Sequence, residues 1–256
     1  MSDTVLKNLQ DGVLLLTLNR PAKKNAFNNE QWIAFTDAIL HAQQDQQVNV
    51  VVVTGAGDDF SSGVDLSSFA EAESEGEHPF DACAKAVAEF DKPLLMAAKG
   101  IAVGGGATLT FHADILYVGE SLRMRLPFAN LGLVPEFASS YMLQVNIGAQ
   151  RAAELFYTAE WINAERAVEA GIAARCYADA ELLDKALEKA REISQWPVNA
   201  LQETKRTLKI AHKAGIEAAL EAERDGMQKQ AGSPENIEAI TAFLEKRKPD
   251  FNKLKS

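Results

Sequence analysis

Gly100 to Glu136 reads GIAVGGGATLTFHADILYVGESLRMRLPFANLGLVPE and is the most informative part of the chain. The run Gly104-Gly105-Gly106 follows a short apolar segment and leads into a short helix. Glycine permits positive φ and close approach of a ligand to the backbone. At a helix start it also leaves N–H groups unpaired at the positive end of the dipole. The stretch closes on Leu131-Gly132-Leu133-Val134-Pro135-Glu136, and Glu136 is the acid with an evident reason to stand beside those amides. Amides that hold an anion, next to a carboxylate that moves a proton, suit chemistry at a carbon beside a carbonyl.

A second glycine turn, Phe60-Ser61-Ser62-Gly63-Val64-Asp65-Leu66, follows the run Val48 to Thr54. One bare amide is a weak signal, and an isolated GGG run serves equally well to pack a helix tightly on a sheet. Two such turns converging on one point would form an oxyanion hole, each donor worth roughly 2.7–4 kcal/mol as negative charge develops. The chain has no GxxxxGK[ST] loop, no GxGxxG fingerprint and no GxSxG elbow, so nucleotide phosphates and an acyl-enzyme serine have no obvious host.

Working outward, Gly12 to Leu18 and Val48 to Thr54 are short, branched and bounded by polar turns, and predict buried strands. Leu94–Ala98 and Asp114–Val118 predict two more. Asn28 and Gln31 have capping-box spacing ahead of a helix with Trp32, Phe35, Ile39 and Leu40 on its apolar face. Strand–helix alternation implies an α/β layering with parallel strands. Glu71 to His78 is acidic and patternless, and predicts a surface loop. From Ala152 onward the signals are helical. Ser233-Pro234 marks a helix start, and 198–213, 215–231 and 234–247 predict a helical appendage. The division expected is a core over 1–195 and a helical region over 196–256.

Composition narrows the class. The 256 residues are 47% hydrophobic, enough for one large domain. No apolar run reaches the ~18 residues of a membrane span, and Met1 to Thr4 lacks the apolar stretch of a secretory signal. Cys83 and Cys176 are too few for a disulfide framework. A net charge of −10 disfavours nucleic acid. These features predict a cytoplasmic protein with neither membrane nor nucleic acid among its partners. His41, His78, His112 and His212 lack ligand-spaced partners, so surface or packing roles are expected and no metal site. Trp161, just before a helix, is expected to pack.

Taken together, Leu18-Asn19-Arg20-Pro21 with Asn25-Ala26-Phe27, the Phe60–Leu66 turn, Gly100 to Gly106, Ala113-Asp114-Ile115, Leu131-Gly132-Leu133 and Phe243 to Arg247 resemble the crotonase (enoyl-CoA hydratase/isomerase) family. The pieces keep the family's order across essentially the whole chain. The resemblance implies a ββα spiral core, a C-terminal α-helical trimerisation region, a homotrimer or dimer of trimers, and a coenzyme A thioester as ligand. It places the oxyanion donors at the Val64 and Gly105 amides, flanked by Gly63 and Gly104. It puts Lys24 and Ser62 beside the nucleotide, with Phe243 and Lys246 closing that pocket. Ser67 falls where relatives carry a phosphate-binding lysine. Asp65, beside the first donor, is expected to stabilise its turn by accepting backbone N–H bonds.

The family's hydratases use two glutamates, and Thr108 and Phe128 occupy those positions here. Glu136 resembles instead the single base of the peroxisomal-type Δ3,Δ2-enoyl-CoA isomerases. Phe128, Phe137 and Leu133 would wall it with apolar surface, and Phe80 and Phe90 could help shape the acyl site. Burial would raise the carboxyl's pKa into the range useful to a base. No metal or redox cofactor is needed, because the thioester oxygen takes the charge. Three alternatives stand beside this expectation: Glu136 as an ordinary acid at a helix start, a non-catalytic acyl-CoA binding protein, and a hydratase recruiting Glu136 or an acid of 71–77.

Overall fold

The computed structural model describes residues 3–65 and 78–254. The acidic segment 71–77, Leu66 and Ser67 lie outside them. The two most branched runs become adjacent parallel strands, β2 (Val13–Leu18) and β3 (Val50–Gly55). Sequence reading missed the strand before them, β1 (Val5–Gln10), because only Val5 of its VLKNLQ is buried. It is the antiparallel edge of the sheet, joined to β2 by Asp11-Gly12, both at positive φ, the turn chemistry that matches strand twist. β4 (Leu94–Ala98), β6 (Ile115–Gly119) and β9 (Arg175–Tyr177) continue the sheet in the order β1-β2-β3-β4-β6-β9, all parallel after β1.

Both faces of this sheet are covered, and alternation along β3 shows how. Val51 and Val53 join the main core, whereas Val50 and Val52 turn to a second cluster. That second cluster is closed by Leu182, Ala186 and Ala190 of helix α7 (Leu182–Ser194). On the main-core side lie α1 (Asn29–Gln44), α2 (Pro79–Glu89) and a second layer of short strands, β5 (Ile101–Val103), β7 (Arg123–Arg125) and β8 (Ile162–Asn163). β4 with β5 and β6 with β7 each give one strand to the large sheet and a shorter one to this layer before a helix follows, the expected ββα repeat. The earlier turns meet the layer only through isolated bridges at Phe27–Val64 and Ser61–Ala102. The short α3 (Gly105–Thr108), then α4 (Ser139–Ile147), α5 (Ala149–Thr158) and α6 (Ala164–Ala170), complete it.

The Asn28 side chain accepts from the Gln31 amide and starts α1 as predicted, but the reciprocal half of the capping box is absent. The Gln31 side chain is fully buried with no partner for either polar atom among the described residues. Trp32, Phe35 and Ile39 are buried on the predicted face, while Leu40 is 48% exposed on its flank. The helical region is α8 (Val198–Lys209), α9 (Lys213–Gln230) and α10 (Pro234–Leu244), with α8 and α10 shorter than predicted. Ser233 caps α10 through the Asn236 amide. The short strands β8 and β9 fall within the region expected to be almost all helical after about Ala152. Among the described residues no helix is long and apolar enough to cross a membrane.

Candidate active site

The two glycine turns meet. Ser61 donates its amide to Ile101 O (2.9 Å) and accepts from Val103 N (3.0 Å), which zips the first turn onto β5. The approach is close enough to require glycine. A Cβ on Gly63 (φ +89°) would lie 2.5 Å from Val103 O and 3.3 Å from Gly105 N. Gly104 has open space around its Cβ position but sits at φ 52°, ψ −126°, so conformation alone demands glycine there.

Backbone donors around this junction are nearly all used. Gly63 N points at Ser61 Oγ (3.2 Å), Gly104 N donates to Arg125 O (3.1 Å) and Asp65 N to Phe27 O (2.8 Å). The Val64, Gly105 and Gly106 amides are left without an acceptor among the described residues. The first two are the donors that the resemblance implies, and open N–H groups at half-buried Val64 and buried Gly105 can hold an anion.

Glu136 stands against them. A Cβ on Gly105 would lie 3.0 Å from Glu136 Oε1 and 3.6 Å from Trp32 Cη2. Burial pushes the Glu136 carboxyl up to about 8, with the like charge of Glu223 adding to it. The chain reaches this position through two consecutive left-handed residues, Phe137 (φ 63°) and Ala138 (φ 52°). Such residues cost roughly 1–2 kcal/mol each unless glycine. His112 Nε2 donates to Phe137 O at 2.6 Å, and Glu223 accepts from Ala138 N (2.6 Å) and Ser140 N (2.8 Å). Glu223, from α9, thus serves the open amides at the start of α4, so the helix-start role is not the one Glu136 fills.

The remaining candidates divide. Phe137 forms an aromatic cluster with Trp32 (5.9 Å) and Phe80 (5.1 Å), and Trp32 stacks on Phe27 at 3.9 Å. Phe128, expected in the same wall, is buried and has its ring 6.3 Å from that of Phe156. Phe90 is buried with the Lys205 ammonium 5.2 Å from its ring. Thr108, at a vacated acid position, is buried and turns its hydroxyl back to Gly105 O (3.4 Å). Lys24, Ser62 and Gly63 come together because Ser62 N donates to Lys24 O at 2.9 Å. That bond leaves the Ser62 carbonyl, not its amide, for a ligand. Lys24 Nζ reaches Asp59 at 3.2 Å and is mostly exposed, while Asp65 pairs with Arg20 at 2.9 Å. Phe243 and Lys246 are exposed at and beyond the end of α10.

Two expectations need correction. Trp161 is 42% exposed, with the Arg123 guanidinium 4.4 Å over its ring, and does not pack in the core. His112 does more than pack: burial holds it down to about 4, neutral, with Nε2 carrying the proton that Phe137 O accepts. Glu223 and Trp32 were missed as site residues. Glu223 lies far from Glu136 along the chain, and no local pattern links them.

Comparison with known proteins agrees with this geometry. The sequence profile of the enoyl-CoA hydratase/isomerase family matches residues 8–254. The chain is 33% identical over 254 residues to the 2,3-dehydroadipyl-CoA hydratase of Escherichia coli (strain K12), covering 98% of this chain and 99% of that one. It is 30% identical over 260 residues to the 1,2-epoxyphenylacetyl-CoA isomerase of the same strain, again covering 98% and 99%. The crystal structure of an enoyl-CoA hydratase/isomerase from Pseudoalteromonas atlantica T6c superposes with a TM-score of 0.94 at 34% identity, over 97% of this chain and 99% of that one. With the spiral core, the paired open amides and likeness along nearly its whole length, the chain belongs to the enoyl-CoA hydratase/isomerase family, within the crotonase superfamily.

Proposed function

We propose that this enzyme shifts the double bond of a 3-enoyl-CoA to the 2-trans position by one-base proton transfer. The observation that carries the reading is Glu136 Oε1 lying against Gly105, beside two open amides. Glu136 removes a proton from C2, and the electrons of that bond delocalise through C1 onto the thioester oxygen. The Val64 and Gly105 N–H groups hold the oxyanion of the resulting dienolate. The same carboxyl returns the proton at C4 as the C2–C3 double bond forms, so atoms and charge balance without metal or redox cofactor. A carboxyl raised to about 8 is a stronger base than an ordinary glutamate and suits this work near neutral pH.

The relatives include a hydratase and an isomerase, so the choice rests on residues. Thr108 and Phe128 supply no carboxylate to place water, and the Trp32–Phe80–Phe137 cluster offers an apolar wall beside the base. Coenzyme A would lie along the Lys24 turn with its adenine at the Ser62 carbonyl, Phe243 and Lys246 closing the nucleotide from a neighbouring copy or from the chain's own C-terminal helix. A cytoplasmic homotrimer or dimer of trimers goes with this reading.

The test offers 3-hexenoyl-CoA and 2-hexenoyl-CoA to wild type and Glu136→Gln. Conjugation of the 3-enoyl substrate by wild type, lost in the variant, is the expected result. A hydroxyacyl product would favour hydration, the activity named for the dehydroadipyl relative. Binding without turnover would favour a carrier role.

A further inference from the structure

We propose that His112 and Glu223 are positioning residues that lock the Phe137–Ala138 peptide group and so aim Glu136 at the reacting carbon. This rests on the reading of Glu136 as the base. The two contacts meet on a single peptide unit: His112 Nε2 donates to its carbonyl at 2.6 Å, and Glu223 Oε2 accepts from its N–H at 2.6 Å. Both residues flanking that peptide are left-handed, a conformation that non-glycine residues leave readily unless their surroundings fix it. Rotating the peptide by half a turn would relieve Ala138. It would also aim the carbonyl at the Glu223 carboxylate and the N–H at His112, so the two side chains oppose that rotation from opposite ends.

The clamp is anchored outside the loop. His112 is buried behind the glycine run, and Glu223 belongs to α9, with only 6% of its surface exposed. The same C-terminal helices hold the rest of the segment. A Cβ on Gly226 would lie 3.0 Å from Val134 Cγ2, and Asn236 Nδ2 donates to Leu131 O at 2.7 Å. The helical tail therefore has a duty within its own chain, separate from any assembly of copies.

Charges around the clamp are specific. Glu223 faces Glu136 as a like charge, and its Oε1 also accepts from Ser140 N. His112 feels Lys209, Lys205 and Asp114. Removing the Glu223 charge should therefore lower the titration of Glu136, while loosening the peptide should let its carboxyl drift toward solvent.

The experiment uses the full chain in three variants. His112→Phe keeps a ring and loses the donor, His112→Gln keeps a donor near Nε2, and Glu223→Gln keeps the shape but loses the charge and one acceptor. With 3-hexenoyl-CoA, His112→Phe should lower kcat about 10–100-fold with KM within about 3-fold, the scale of a misplaced group. His112→Gln should recover most of that loss. Glu223→Gln should lower kcat about 10-fold and move the acid limb of the pH profile down by about half a unit or more. In parallel, Glu136 is titrated by carbon NMR of labelled glutamate, assigned with Glu136→Gln. Its midpoint should fall in His112→Phe and Glu223→Gln and stay in His112→Gln.

Wild-type kcat and an unmoved Glu136 midpoint in folded His112→Phe and Glu223→Gln would overturn the clamp. So would His112→Gln no better than His112→Phe, or kcat and KM damaged together with the midpoint unmoved. Should His112→Phe not fold, Glu223→Gln decides by the same two readouts. Absence of conjugation by wild type would refute the isomerase reading alone, because the Glu136 titration reports the clamp without turnover.

Discussion

Replacing Glu136 by glutamine should make the protein more stable at high pH while removing its chemistry. Burial and the Glu223 charge raise the Glu136 carboxyl from an ordinary 4.5 to about 8, so the ionised form is penalised in the folded state only. Below pH 4.5 both states carry the proton and no penalty exists. Between 4.5 and about 8 the unfolded chain loses its proton while the folded chain keeps it, so the penalty grows with pH; above about 8 it is complete. The whole shift corresponds to about 5 kcal/mol at 1.36 kcal/mol per unit, but Glu136 is only half-buried and keeps part of its surface open. Relaxation and water entry around the carboxyl reduce that to about 1–3 kcal/mol. A chain of this size shifts Tm by roughly 2–4 °C per kcal/mol.

The assay is calorimetry of wild type and Glu136→Gln across pH 4 to 9. The difference in Tm should be near zero at pH 4 and reach several degrees in favour of the variant at pH 9. Wild-type kcat/KM for 3-hexenoyl-CoA should climb over the upper part of the same window, as the free carboxyl ionises. A Tm difference that stays flat with pH, or one that favours wild type at pH 9, would refute the claim that the carboxyl is held protonated by its surroundings.

Two further substitutions follow from the geometry. Gly63→Ala puts a Cβ 2.5 Å from Val103 O at a positive φ, so kcat should fall about 10²–10³-fold, as for one lost oxyanion donor, with stability down by about 1–3 kcal/mol in denaturant titration. Lys24→Glu breaks a surface pair with Asp59 worth about 0–1 kcal/mol, so Tm should barely move. KM for the CoA thioester should rise several-fold and that for an N-acetylcysteamine thioester should not; equal effects on both would remove Lys24 from the nucleotide site.

Much of the framework was readable because it depends on neighbours in sequence. The VVVV run of β3 buries both faces, so its apolar continuity was itself the signal, and Asn28 and Ser233 cap helices through bonds three residues away. β1 escaped notice because a solvated edge strand needs no apolar alternation. Trp161 was misread because an exposed indole under an arginine has the same local sequence as a buried one.

The two glycine turns and the candidacy of Glu136 can be read from the chain, and its ordered motifs imply the spiral through the family resemblance, although each motif alone has other uses. That the turns touch, that the Val64 and Gly105 amides are among those left open, and that Glu136 lies against Gly105 is visible only in three dimensions. The tertiary structure also brought Trp32 to the border of the site, 3.6 Å from the position of a Cβ on Gly105. The physical reason is range: a turn or a cap is fixed by dihedral preference and a bond of a few residues. The pose of Glu136 depends on His112 and Glu223, whose contacts span 25 and 85 residues and leave no periodic trace in the chain.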